Sequence, residues 1–575
     1  MSHRLLRGVF NFMTRDVWRE FQDACRDPVA AQKRRLFTIL RRNADTDFGR
    51  EHSFASIRSV EDFRSALPIR EFSAFEKYIE RMRRGKAGVL TADLPEMFAT
   101  TSGTTDRPKF IPVTPSFYAE FYNTQKVWSR INLNAHPAIL RGKFLSLVSP
   151  WEEGRTEGGI PYGAISGRNY RNHASIPVQR NFLAIPYSVF CVRDFDAKYY
   201  AILLLAARQS ISLISILNPS TIVLLARKLN EYAPYLVKDI RDGGIKVEKD
   251  LPPEVVEEIR PRLRPQPRRA KEIEDALERK GELLPRDIWP EMALVNTWTG
   301  GASGFYLKQF ARLFGDVPLR DFGYNASEGY MSIPCRGTTT AHPEDKGGVL
   351  AAAGHFVEFV PYPQGGEPLL CDGLEVGRQY RVILTASNGL YRYDINDVVE
   401  VLAFDGGVPV IAFKHRGSGV VSVTGEKVTE SQVTLAFRRL RDRLDLNIED
   451  FIVGVRYEET PLYAVAVEPG VNVREGVSEL LAREFDEELK KANMEYRAKR
   501  DSGRLAAPRA NILRRGAMTE YRKRRIGEGT HDAQMKVLHL VRDSRLFEQF
   551  DTLHGSGASA DAQSSPRPAT RTKRA

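Results

Sequence analysis

In the stretch FATTSGTTDRPKFIPVT, Phe98 to Thr114, every residue from Thr100 to Thr105 carries a hydroxyl or is glycine, and Lys109 arrives just before the chain turns apolar. The flanking MFA and FIPV read as strands. A strand leading into such a loop can aim backbone N–H groups, hydroxyls and a lysine at one point, which is what phosphate oxygens require. It is not a Walker A loop, because no G-x-x-x-x-G-K-[ST] is present. The same composition also builds an ordinary surface turn, so the company the loop keeps has to decide.

That company is two further segments in a fixed order. TSGTTDRPK resembles the phosphate loop of the adenylate-forming enzymes, the superfamily of acyl-CoA synthetases, luciferases and peptide-synthetase adenylation domains. YNASEGY, Tyr324 to Tyr330, looks like the motif in which an aromatic ring stacks on adenine and a glutamate holds magnesium. GLYRYDINDVV, Gly389 to Val399, looks like the motif whose aspartate grips the ribose hydroxyls. A closer resemblance rests on GGIPYGAISG, DFDAKYYAILL, NPSTI, HFVEFVP, GEKVTE, FDEELKKANMEYRAKR and THDAQMK. Together these are similar to the plant auxin-responsive acyl acid amido synthetases and their bacterial relatives, over about residues 30 to 545.

The resemblance implies a large N-terminal domain, a small mobile C-terminal domain, and a reaction that joins a carboxylic acid to an amino acid with ATP giving AMP and pyrophosphate. The acid must first become an acyl adenylate, because oxide is too poor a leaving group, and charge building on the phosphates must be neutralised. By resemblance, Ser102, Gly103, Thr104, Thr105 and Lys109 hold the triphosphate, and Glu328 carries Mg²⁺, a hard cation that takes oxygen ligands. Tyr324 stacks on adenine with Ser327 also in the ATP site, Asp397 accepts from the ribose hydroxyls, and Arg416 reaches the same sugar. Lys536, in DAQMK, swings from the C-terminal domain to the α-phosphate and acyl oxygen.

Outside this constellation the same residues have ordinary readings. Glu328 is then an N-cap partner, Asp397 a turn residue and Lys536 a solvated charge. Tyr391 and Tyr393 alternate along a strand and read as core, as do Leu489 and Tyr496, seven apart on one helix face. Three departures stand out. Asp106 sits where the phosphate loop usually has glycine, a carboxylate that repels a triphosphate unless it turns away or pairs with Arg107. Asn396 replaces a glycine before the ribose aspartate, a mild change because Asn tolerates φ > 0. Asp394 stands where the family tends to be basic.

The elements that must position these residues alternate between helical patterns and short apolar strands from about Arg15 to Asn325, as in FLSLVSP and MALVNTW against AKYYAILLLAARQ and AKEIEDALERKGE. That predicts an α/β region. From His355 closely spaced strands take over: HFVEFVP, QYRVILTA, LYRYDINDVVEVLAF and VPVIAFKHR. The sequence therefore divides into an N-terminal adenylation domain, 1–416, with a β-rich subregion, and a small C-terminal α/β domain, 417–550, entered through RGSG. The second domain contains a long helix from Val477 to Arg500. Residues 551–575 form a Gly/Ser/Ala/Pro/Arg tail expected to be disordered. The greasiest stretch, from Tyr199, is cut by Arg208, Gln209 and NPS, and reads as buried helices around a turn and not as a bilayer span. The basic N-terminal stretch reads as a docked surface helix, since Asp16 and Glu20 do not suit an organelle-targeting segment.

Composition is that expected of an ordinary soluble protein, 42% hydrophobic and 27% charged. Four cysteines without C-x-x-C spacing exclude a disulfide framework or a structural zinc site and fit the cytoplasm. The net charge of +12 gathers in RPRLRPQPRR, RRGAMTEYRKRR and RPATRTKRA. Tyr521 is the single aromatic in these clusters, so they read as solvated faces or surroundings of an anionic small molecule and not as a nucleic-acid platform. There is no G-x-S-x-G elbow or H-E-x-x-H motif, and the protein is expected to act as a monomer. The nucleotide motifs serve an acyl-CoA ligase or a non-catalytic nucleotide binder equally well. The amide product rests on the C-terminal resemblance, and an acyl pocket is expected around NTWTGGASGFY and GGIPYGAISG.

Overall fold

The structure is a computed structural model that describes residues 3–101, 109–417, 420–424, 426–470, 476–527, 538–541 and 550. The loop 102–108, Lys536 and the tail 551–575 lie outside the described residues. The chain separates into two compact units, one made of 1–420, 429–434 and 522–537, the other of 421–428, 435–521 and 538–575.

In the first unit, strands Lys143–Ser146, Ile211–Ser215, Leu294–Asn296 and Pro318–Arg320 pair in parallel and in chain order, closed by antiparallel Thr338–Thr339. Helices connect the parallel strands, as alternating patterns require. The greasy stretch corrects the expectation of two helices around a turn. It is a helix, Phe195–Ala207, then the strand Ile211–Ser215, then a helix, Pro219–Asp242. The first helix buries every residue but Asp196, and a strand buried on both faces is just as apolar, so periodicity does not separate them. The β-branched Ile211 and Ile214 in ISLIS were the strand signal. Asn218 caps the next helix, its side chain accepting from Ser220 N at 3.1 Å, with Pro219 at the first helical position.

The strand-rich part forms a six-stranded antiparallel sheet, in the order Ser332–Ile333, Gly348–Leu350, Val408–Arg416, Tyr393–Asp405, Gln379–Thr385, Phe356–Tyr362. N-terminal helices pack on it through aromatic side chains. The Phe48 ring stacks on Tyr391 at 5.0 Å and meets Phe54 and Tyr78 edge-on. Tyr391 and Tyr393 are both core, as expected.

Between those aromatics lies a buried ion pair. Arg392 sits at φ +49°, an unusual backbone for a side chain of its size. Its Nε and Nη2 donate to the two oxygens of fully buried Glu358 at 2.9 and 3.3 Å, and its Nη1 donates to the carbonyls of Leu67 and Arg64 at 2.6 and 3.2 Å. Arg64 adds a third donor to Glu358 at 2.8 Å. The main chain joins in: Arg70 N donates to Arg392 O, and Asp394 N to Arg70 O. One residue thereby ties the N-terminal helices to the strand that follows it.

The second unit carries strands Ile448–Arg456, Leu462–Pro469 and Arg509–Ile512 in one sheet. The long helix expected from Val477 to Arg500 is two helices, Val477–Ala492 and Met494–Asp501. Asn493 breaks it, extended at φ −144°, and its side chain accepts from Tyr496 N at 2.8 Å. Asn is among the best N-cap residues, which outweighs the helix formers on both sides. Across the bend, Asp486 accepts from Tyr496 Oη at 2.7 Å and from Arg500 Nε and Nη2 at 2.8 and 2.9 Å, while Leu489 and Tyr496 are fully buried. These residues hold two helices together.

Removing one partner of a buried ion pair leaves the other charge in a dry interior. Arg392→Met is expected to destabilise the first unit by about 3–5 kcal/mol, read from denaturant unfolding followed by tryptophan fluorescence.

Candidate active site

Strands Met97–Thr101 and Lys109–Val113 form a hairpin whose last register pair is Thr101 with Lys109. The hydroxyl-rich loop bearing Ser102, Gly103, Thr104 and Thr105 springs from that end, and those four residues lie outside the described ones. Lys109 is half-buried, its ammonium 5.1 Å from the Phe72 ring centre. YNASEGY is a tight hairpin too. Asn325–Ala326 pairs with Gly329–Tyr330, leaving Ser327 and Glu328 as the two-residue turn. Gly329 is required there, because a Cβ would come within 2.9 Å of the His355 ring. Glu328 is buried at that turn, which corrects its reading as an N-cap partner.

Asp397 lies inside strand Tyr393–Asp405, not in a turn, directly across from Arg416 on the neighbouring strand. Arg416 Nε donates to Asp397 Oδ1 at 3.1 Å, and Tyr324 Oη donates to Asp397 Oδ2 at 3.0 Å. The Tyr324 ring stacks on Phe413 at 5.9 Å. Behind Phe413 runs part of NTWTGGASGFY, with Gly301 at φ +59° against the Phe413 ring and Lys414 carbonyl. GGIPYGAISG has a structural reason for two of its glycines: a Cβ on Gly163 or Gly167 would run into the backbone of residues 149 to 151.

The departures also find their place. Asn396 does adopt the left-handed conformation, φ +61°. Asp394 Oδ1 accepts from Asn396 N at 2.8 Å, while its other oxygen lies 3.3 Å from Arg381 Nε. Asp106 is outside the described residues.

Lys109, Tyr324, Glu328, Asp397 and Arg416 thus share one electrostatic neighbourhood, although the first and last are 307 positions apart in sequence, 416 − 109. Burial raises the pKa of Glu328; Arg416 and Lys109 oppose that shift, and Asp397 adds to it. Burial lowers the pKa of Lys109, opposed by Glu328 and Asp397 and reinforced by Arg416. Asp397 holds the Arg416 guanidinium firmly charged. Two carboxylates and two cations therefore balance around a desolvated tyrosine. Among the described residues no group of three or more His, Cys, Asp or Glu gathers to hold a metal ion.

Sequence reasoning missed the support behind this site. Asn388 Nδ2 donates to the Glu328 carbonyl at 3.4 Å, and the preceding Ser387 donates through its hydroxyl to Glu120 Oε1 at 2.6 Å. Glu120 pairs with Arg35 at 2.5 Å, and its other oxygen lies 3.7 Å from Nδ1 of fully buried His355. Burial pushes Glu120 up to about 7 and His355 down to about 3. An acid inside an otherwise amphipathic helix gives no sequence signal of such a role.

Comparison with known proteins accounts for the arrangement. The fold is shared with the GH3.15 acyl acid amido synthetase at a TM-score of 0.82 and 20% identity, covering 93% of this chain and 95% of that one. The GH3 family N-terminal domain matches residues 17–319, its central domain 348–416 and its C-terminal domain 430–545. The chain belongs to the GH3 family, and with it to the amido synthetases, ligases that form carbon–nitrogen bonds. Among its relatives, jasmonoyl–L-amino acid synthetase JAR6 of Nicotiana attenuata is 26% identical over 92% of this chain and 94% of its own. The indole-3-acetic acid-amido synthetase GH3.10 of Arabidopsis thaliana is 24% identical over 73% and 76%.

Asp397→Asn removes the charge from two hydrogen bonds and is expected to weaken ATP binding about 10- to 100-fold by calorimetry; unchanged affinity would take Asp397 out of the site. A second outcome concerns pH. The folded-state pKa of Glu120, about 7, lies above its unfolded value, so the folded protein binds more protons and loses stability as pH rises through that interval. Glu120→Gln lacks this loss. Its unfolding temperature, relative to the unsubstituted protein, should therefore rise between about pH 5 and about pH 7.

Proposed function

We propose that this chain activates a carboxylic acid with ATP as an acyl adenylate and passes the acyl group to an amino acid. The observation that supports it most is the convergence of Asp397, Arg416, Tyr324, Glu328 and Lys109 in a family of amido synthetases. In the first step a carboxylate oxygen attacks the α-phosphorus of ATP, the bond from that phosphorus to its bridging oxygen breaks, and pyrophosphate leaves. In the second, the amine nitrogen attacks the acyl carbon, the bond to AMP breaks, and the nitrogen gives up a proton.

On this reading Asp397 accepts from the ribose hydroxyls, with Arg416 beside it. Tyr324 lies against adenine with Ser327 close by, and Lys109 joins Ser102, Gly103, Thr104 and Thr105 on the triphosphate. Lys536, assigned from the sequence resemblance alone, brings a cation to the α-phosphate and acyl oxygen as charge develops there. Glu328 would hold Mg²⁺, whose role is to neutralise phosphate charge. A single buried carboxylate suits that ion, which takes the rest of its shell from phosphate oxygens and water. Lys109 and Arg416 favour the ionised form of Glu328 that such binding needs.

The catalytic division is a nucleotide domain of 1–416 and a small domain of 417–550. Four free cysteines suit a reducing compartment such as the cytoplasm, where the chain would work as a monomer; among the described residues no helix is long and apolar enough to cross a membrane. The test is product identity. Protein, ATP, Mg²⁺ and a panel of carboxylic acids are incubated with amino acids or with CoA, and products are weighed by mass spectrometry. An N-acyl amino acid with stoichiometric AMP is expected; a CoA thioester with no acylated amino acid would overturn the amide reading.

A further inference from the structure

The basic cluster RPRLRPQPRR, which the ligation chemistry does not use, contributes Arg262 and Gln266 to the wall of a cavity. This cavity, of about 500 Å³, opens at the amino ends of strands Lys143–Ser146 and Ile211–Ser215. Lys143, Arg180, Arg208 and Arg262 contribute four cations to its wall, against one carboxylate, Glu258. Glu258 is engaged by the Ser188 hydroxyl. No residue of the candidate active site lines this cavity.

The four cations are not equivalent. Arg208 is buried and spends its guanidinium on main-chain carbonyls: Arg262 at 3.2 Å, Ile240 at 3.5 Å, and Arg264. That anchors the basic cluster to the wall and leaves a fixed positive charge behind it. Lys143 donates to the Asn181 carbonyl. Arg180 and Arg262 are exposed and, among the described residues, make no ion pair. Gln266, also on the wall, has a buried Oε1 with no hydrogen-bond donor.

We propose that this cavity binds a small phosphorylated molecule carrying at least one hydroxyl, at a site separate from the one that performs ligation. Planar guanidinium forks match phosphate oxygens, and the volume lies in the range of small-molecule sites. Rotation of the Gln266 amide toward the cavity would bring its unpartnered Oε1 within reach of a ligand hydroxyl. Burial and the charge of Arg262 hold Lys143 below its ordinary pKa, so an anion between them relieves a standing repulsion.

The experiment is calorimetric titration of the whole protein with glucose 6-phosphate, as a hydroxylated phosphate monoester, and in parallel with inorganic phosphate. The double variant Arg180→Ser/Arg262→Ser is compared with the unsubstituted chain at fixed ionic strength. The expected result is binding of the monoester that the double variant weakens by at least about tenfold. The variant should keep its unliganded unfolding temperature and its ATP affinity. Gln266→Leu should weaken the monoester and leave inorganic phosphate unchanged. Identical isotherms for the double variant and the unsubstituted chain would overturn the proposal. So would binding abolished by Asp397→Asn but kept in the double variant, since that event belongs to the nucleotide site.

Discussion

A buried ion pair holds the candidate site in place. Glu358 sits on a strand of the antiparallel sheet and Arg392 immediately before the strand Tyr393–Asp405, and the arginine also takes carbonyls from the segment around Arg64 to Leu67. Asp397 lies five residues beyond Arg392, inside that strand. The N-terminal helices therefore fix where that strand begins, and the strand fixes where the aspartate points. A buried pair of this kind is a poor source of net stability but a strict one of position, since any other register would strand a charge in the core.

The hairpin geometry around it works in the same sense. Lys109 opens the second strand of a hairpin, Glu328 occupies a two-residue turn, and Asp397 and Arg416 face each other across a ladder. None of these side chains depends on a long free loop for its location. Preorganisation of this kind lets polar groups meet a charged ligand without first reorganising.

How much of this was legible in the sequence follows from the range of the interactions. Glu328 and Asp397 could be singled out because their neighbours in YNASEGY and GLYRYDINDVV travel with them, and the tolerance of Asn396 for a left-handed backbone could be argued from its side chain. Arg392 could not. Its φ of +49° has no signature in a bulky residue, and its partner, Glu358, is brought close only by the folded sheet. Glu120 was hidden for the same reason, because nothing near it in the chain announces Arg35 or Ser387. The strand Ile211–Ser215 and the break at Asn493 were missed for a different one. Both sit in stretches whose bulk composition favours helix, and a short local preference prevailed.

Both oxygens of Asp397 are already engaged, by Arg416 and by the Tyr324 hydroxyl. Each carboxylate oxygen can accept a second donor, so on the function proposed above a sugar hydroxyl would join these partners without displacing them. The aspartate would then be aimed before the ligand arrives and stay aimed after it leaves, so that no side chain has to be reset between one ligand and the next.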